Sequence, residues 1–196
     1  MTPLETREAV DDLVRWEGAI PWLYLDTKGL VTVGIGFLVK TVEAALLLPF
    51  YDTFTSTGAT DGAIRRDFER VARAGQTTGA LPRRPAGYYR EPNGLRLRDS
   101  EMRGLAATKL VTIYVPGIVA LLPEFDTYPA PVKRALIDLS WNLGVAGLGK
   151  FGNLLACCKD RDWQGAALEC SVRTSRPERN AWRAQMFADA RENRVA

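Results

Sequence analysis

The sequence predicts an α+β fold with a small N-terminal lobe built on a β-hairpin and a larger helical C-terminal lobe. Two patterns carry this prediction. Apolar residues recur at helical spacing through the second half, as in Val132, Ala135, Leu136, Leu139 and Leu143. β-Branched and aromatic residues cluster instead between Trp22 and Phe37, on both sides of the turn-forming run Asp26-Thr27-Lys28-Gly29. A chain of 196 residues with 46% hydrophobic content can build one domain with its own core. The expected organisation is a single domain over 1–196, with an N-terminal helix and β lobe over about 1–98 and a helical lobe over about 99–196.

Pro3 suits the first turn of a helix, and Val10, Leu13 and Val14 mark one face of it, so this helix is expected to end near Gly18 and Pro21. The hairpin follows, and Gly34 and Gly36 thin the end of its second strand, where another backbone or a ligand can approach closely. Residues 52–94 read as a surface excursion. Thr, Ser and Gly dominate its start, a short amphipathic helix is expected from about Ala63 to Arg73, and a Gly/Pro/Arg/Tyr stretch runs to Gly94. Leu95-Arg96-Leu97 alternates like a brief strand, and Asp99 or Ser100 is placed to cap a helix reaching about Tyr114. Further helical stripes comprise Trp163, Ala166, Ala167 and Cys170, then Trp182 and Met186.

The chain has no histidine, which excludes Ser-His-Asp and Cys-His nucleophilic sites, HExxH zinc sites and imidazole pH switches. Acid–base chemistry must therefore use carboxylates, tyrosine or lysine. Three cysteines, with Cys157 and Cys158 adjacent, form neither a disulfide framework nor a CxxC pair, and are expected as small buried hydrophobes in a chain folded under reducing conditions. No metal and no cofactor are expected. The first residues lack a signal-peptide core, and the apolar stretch from Val111 to Leu122 is too short for a bilayer and interrupted by Pro116, so no membrane insertion is expected. A net charge of +3 is too small to argue for a nucleic-acid partner, and Arg65, Arg66, Arg83 and Arg84 form only a diluted basic stretch.

Three positions stand out for chemistry. Glu17 follows Val14 and Leu13 at helical spacing, so a helix persisting that far turns its carboxylate toward the apolar side, where desolvation suits it to donating a proton. The other reading ends the helix earlier and leaves Glu17 solvated at its C-terminus. Asp26 stands at the mouth of the turn, where an aspartate commonly organises the turn through its side-chain oxygen. Thr32 has the parity to project from the same face as Asp26. Together they offer two carboxylates and a hydroxyl able to hold water, the requirement for glycoside hydrolysis. Arg179 falls on the last helical stripe, where a buried guanidinium needs an anion; Glu17 is one candidate, and reaching out to solvent is the alternative.

The runs Trp16-Glu17-Gly18, Tyr24-Leu25-Asp26-Thr27-Lys28-Gly29 and Thr32-Val33-Gly34-Ile35-Gly36 closely resemble the active-site segment of the T-even bacteriophage lysozymes, glycoside hydrolase family 24. A second match starts at Lys133-Arg134-Ala135-Leu136-Ile137 and continues through Trp141-Asn142-Leu143-Gly144 to Gly147, Phe151, Asn153 and Trp163, and a weaker third runs from Pro177 to Phe187. The resemblance implies a lysozyme-like fold and a muramidase that cuts the β-1,4 bond between N-acetylmuramic acid and N-acetylglucosamine with inversion. It makes Glu17 the general acid, Asp26 the group that orients or deprotonates the attacking water, and Thr32 a holder of that water. An inverting site separates its carboxyl groups by roughly 6.5–9.5 Å. Leu38, Trp141 and Asn142 fall at glycan-contacting positions, and Arg179 where the family sets an arginine against the catalytic glutamate.

Departures from the family are specific. Phe37 stands where a structural histidine is usual, Leu154 where a substrate-side serine is usual, Asn142 replaces a glutamine, and the segment over about 39–94 is a longer, variable insertion. Tyr88, Tyr89, Arg84 and Arg90 in that insertion are candidates for extra glycan or partner contacts. The expected setting is a monomer made in the cytoplasm and acting on peptidoglycan, either as a phage endolysin released through a membrane pore or as a secreted antibacterial effector with an immunity or inhibitor protein. The alternative is a catalytically silent peptidoglycan-binding module.

Overall fold

The first helix, α1 (Pro3–Glu17), starts from a reciprocal cap. Thr2 Oγ1 accepts from the Glu5 N–H at 3.2 Å, and Glu5 Oε2 accepts from the Thr2 N–H at 2.7 Å. The computed structural model describes residues 1–76 and 84–190. After α1 come β1 (Ile20–Leu25), β2 (Val31–Gly34), β3 (Phe37–Leu38), α2 (Val42–Leu46), β4 (Tyr51–Asp52), β5 (Thr57–Gly58), α3 (Asp61–Gln76), β6 (Leu95–Arg96) and α4 (Asp99–Lys109). A π-helical turn (Leu110–Tyr114) leads into α5 (Val115–Leu121), followed by α6 (Ala130–Leu143), α7 (Val145–Leu148), α8 (Gly152–Lys159), α9 (Trp163–Glu169) and α10 (Pro177–Asp189). The fold is α+β, and the described residues form two compact units: Glu17–Ala106, and Met1–Trp16 with Ala107 onward.

The unit over Glu17–Ala106 holds both sheets, ordered β1-β2-β3 and β5-β4-β6 and antiparallel throughout. Its core joins Leu23, Leu25, Val31 and Val33 of the hairpin to Phe50, Ile64, Val71, Tyr89, Leu97 and Met102. The expectation that residues 52–94 are a surface excursion is therefore overturned. The amphipathic face of α3 packs on β1 and β2, so the segment supplies the apolar cover that so short a sheet needs. Tyr89, expected as a contact residue, is buried there, and Tyr88 meets it edge-on at 5.2 Å with Arg84 over the Tyr88 ring at 4.8 Å. Arg83 of the basic stretch lies outside the described residues.

The other unit corrects the expected lobe division, because α1 belongs with the helices rather than with the sheet. Asp12 accepts both arms of the Arg134 guanidinium at 2.6 and 2.8 Å, and Glu5 accepts from Lys133 Nζ at 2.8 Å, which holds the Glu5 carboxyl below its usual range. Trp16 packs against Trp182 with ring centres 5.6 Å apart, and its carbonyl accepts from Arg176. The buried face of α10 is Arg179, Arg183 and Phe187, one position on from the expected stripe of Trp182 and Met186. Two guanidiniums are thus inside, and the anion they share is Asp138 of α6, itself 1% exposed. Arg179 donates to it at 2.7 and 3.1 Å and Arg183 at 2.5 Å. Arg179 accordingly does not reach out to solvent.

Pro116 does not interrupt the helix it was expected to break. The π-turn widens the backbone so that the Val115 N–H bonds to the Leu110 carbonyl, and Pro116 then falls in the first turn of α5, where its missing N–H costs nothing. The resulting helix, Asp99–Leu121, has 23 residues and its most apolar 18-residue stretch has a mean hydropathy of 1.6, so it is long and apolar enough to cross a membrane by length and composition.

Asp138→Ala leaves two buried guanidiniums without their shared carboxylate and is expected to cost about 3–5 kcal/mol in urea unfolding; a loss below about 1 kcal/mol would show that the triad is not what holds α10 on α6. Burial pushes the Cys158 thiol up to about 12 and Cys170 up to about 11; it raises Cys157 as well, but that side chain is only half-buried and so open to reagent. A thiol-reactive dye at pH 8 is expected to label Cys157 in the native protein, and Cys158 and Cys170 only after unfolding.

Candidate active site

Glu17, Asp26, Thr32 and Leu38 lie in the unit that carries the sheets, and Trp141, Asn142 and Arg179 in the other. The hairpin register sets Tyr24 opposite Thr32, and Thr32 opposite Leu38 on the far strand. Residues directly opposite share a face, so Tyr24, Thr32 and Leu38 form one row across the sheet. Asp26 lies just past the end of β1, where its N–H donates to the Leu30 carbonyl across the turn. Leu38 also lines an open groove of about 540 Å³ with Leu30, Lys40 and the α3 residues Phe68 and Ala72. Phe37, in the place of the family's histidine, is half-buried against the hydrophobic core.

The turn that ends this face is organised around the backbone of one residue, Leu30. Asp26 Oδ1 accepts from the N–H groups of Lys28 at 2.8 Å and Leu30 at 2.9 Å. The Leu30 carbonyl in turn accepts from the Asp26 N–H at 2.9 Å and from Thr32 Oγ1 at 3.1 Å. Gly29, with φ +75°, supplies the left-handed step the turn needs. Asp26 therefore does organise the turn, and it does so with one oxygen. Its Oδ2 accepts no hydrogen bond from the described residues, and Thr32, having given its proton to Leu30, retains lone pairs on an oxygen that is otherwise buried. Two acceptors on one face can hold a water by both its hydrogens and leave its own lone pair aimed elsewhere.

Glu17 is the last residue of α1, and Gly18 at φ +78° ends the helix immediately after it. The helix persists as far as Glu17, yet the side chain is exposed as in the solvated reading, because Ala9, Val10, Leu13 and Trp16 carry the buried face and the helix adds no further turn beyond it. Tyr24 reports on both acids. Burial pushes its phenol above the ordinary value, and the negative charges of Asp26 and Glu17 push in the same direction. One phenol thus feels both carboxylates. The sequence reading passed over Tyr24, although its parity with Asp26 was visible.

In the helical unit, Trp141 packs against Tyr114 with ring centres 4.9 Å apart and planes tilted by 33°. Asn142 is exposed, and its Oδ1 accepts from Ser175 Oγ at 3.1 Å and from Arg183 Nη2 at 3.4 Å. A guanidinium only donates, so the atom facing it must be the carbonyl oxygen, and the Nδ2 hydrogens remain for another acceptor. Arg183, Ser175 and Asp138 were not singled out in the sequence. No family model matches the chain, and no curated protein sequence matches it.

The Tyr24 phenol, followed by carbon-13 NMR of labelled tyrosine, is expected to titrate above the ordinary value of 10.0, and Glu17→Gln and Asp26→Asn each to lower its midpoint. No drop in either variant would mean that the carboxylates do not reach it. The preference for neutral phenol contributes stability that is complete below the ordinary value and is lost as pH rises through the native midpoint.

Proposed function

We propose that the chain is a lysozyme-like muramidase that hydrolyses the β-1,4 bond between N-acetylmuramic acid and N-acetylglucosamine in peptidoglycan, with inversion at the anomeric carbon. The observation that carries this reading is the pairing of two features. Glu17 and Asp26 act on one phenol, and Asp26 and Thr32 both bond to the backbone of Leu30, in the residue spacing of glycoside hydrolase family 24.

In this reading Glu17 gives its proton to the glycosidic oxygen as the bond from that oxygen to the anomeric carbon breaks. A water on the opposite face of the sugar forms the new bond to carbon and loses a proton to Asp26 Oδ2. Thr32 Oγ1 accepts the water's other hydrogen, so its lone pair faces the sugar. Proton count balances: one leaves Glu17 and one arrives on Asp26, and exchange with solvent restores both. The carboxyl groups must stand roughly 6.5–9.5 Å apart to leave room for that water. The family resemblance assigns Leu38, Trp141 and Asn142 to glycan contact and Arg179 to support of the acid. An enzyme of this kind serves as a phage endolysin or as a secreted antibacterial effector met by an immunity protein; it needs no nucleic acid and acts as a monomer.

Release of reducing ends from purified peptidoglycan tests the assignment. Glu17→Gln is expected to lower turnover about 10²–10⁴-fold, the range that one acid–base group supplies, with its unfolding transition preserved. Thr32→Val is expected to reduce turnover while the hairpin stays folded. A Glu17→Gln enzyme with wild-type turnover overturns the catalytic roles. Wild-type protein that binds walls without releasing reducing ends identifies a silent binding module instead.

A further inference from the structure

The π-turn has a chemical consequence in the helical unit. By lengthening one turn of helix it brings residues five apart onto a common side, and Lys109 and Tyr114 are such a pair. Lys109 Nζ lies 5.6 Å from the centre of the Tyr114 ring and 4.8 Å from that of Trp141, the ring against which Tyr114 packs. The ammonium is half-buried, and among the described residues no carboxylate pairs with it. Other inward cations of the same unit are treated differently: Lys133 has Glu5, Arg134 has Asp12, and Arg179 and Arg183 share Asp138. Burial also pushes the Lys109 ammonium below its ordinary value, with no opposing charge to hold it up.

A cation in this position is compensated only by the ring faces, worth about 0.5–2 kcal/mol, and lacks the anion that partial desolvation makes it favour. Beside it stands a half-buried indole, an apolar surface of the size a pyranose ring covers. Cation and platform together fit a sugar that carries an acid. Neutral chitin-type glycans have no such group, whereas muramyl units do, on the lactyl ether or on the attached peptide.

We infer that Lys109, Trp141 and Tyr114 form a recognition site for a muramyl carboxylate, with Lys109 pairing the acid and Trp141 offering its face to the sugar. The inference rests on the muramidase reading for the identity of the sugar, but it concerns selection between acidic and neutral glycans, which binding measures without turnover.

The test is a nitrogen-15 NMR titration of the full chain, followed at the indole N–H signals, with N-acetylmuramic acid, muramyl dipeptide and N-acetylglucosamine. Wild-type protein is expected to prefer an acidic probe over N-acetylglucosamine. In Lys109→Met, which keeps the apolar stem of the side chain, that preference ratio is expected to fall about tenfold, with Lys109→Arg restoring part of it. Preference for N-acetylmuramic acid assigns the acid to the lactyl group, and preference for muramyl dipeptide to the peptide; either supports the site. A wild type without preference, or a folded Lys109→Met with the preference intact, overturns it. Loss of peptidoglycan cleavage by the wild type with the preference present overturns the muramidase reading alone.

Discussion

The backbone of Leu30 is the constraint on which the sheet-bearing unit turns. Its N–H and carbonyl reach Asp26 through the side chain and the main chain, and its carbonyl also takes the Thr32 hydroxyl. Two side chains separated by six positions in sequence are thereby referred to the same few atoms. Strand register does the rest, since a slip of one residue would turn Thr32 and Leu38 to the opposite face together. Turn geometry and site geometry are consequently one problem here: Asp26 is oriented because one of its oxygens is consumed by structure.

A different economy governs the helical unit, where a single carboxylate, Asp138, serves two buried guanidiniums. A buried ion pair is a poor source of net stability but a stringent source of geometry, because each partner is costly without the other. Its influence extends outward: Arg183 also donates to Ser175 and toward the Asn142 oxygen, and Ser175 donates to the same oxygen. An exposed amide thus takes its orientation from a carboxylate in the core.

Much of the sheet-bearing unit was legible in the sequence, for local reasons. The run Asp26 to Gly29 specifies its own turn, and alternation sets Thr32 across from Tyr24. Information that depends on a partner distant in sequence was not legible. Asp138 sits among Leu136, Ile137 and Leu139 as one polar residue in an apolar stripe, and only the arrival of Arg179 and Arg183 from α10 explains it. The periodicity of α3 was visible, but that it covers the hairpin was not, since an amphipathic helix does not name the surface it meets. Glu17 illustrates the limit of helical arithmetic: the helix reaches it, and Gly18 then removes the turn that would have buried it. Pro116 misled for a related reason, because the wide turn that accommodates it leaves no composition signal.

That wide turn bears on the angular phase of its helix. It holds one residue more than an ordinary α-helical turn, and each residue of a regular helix is about 100° of rotation. Deleting a single residue between Leu110 and Tyr114 would let the regular ladder re-form with Lys109 and Tyr114 four apart, still on a common side, so the wide turn absorbs one extra residue without disturbing the phase of the helix around it. The composition of the segment, its apolarity and the pairing of side chains on its face would survive such a change; what would be lost is the wide turn that lets Pro116 dispense with its N–H.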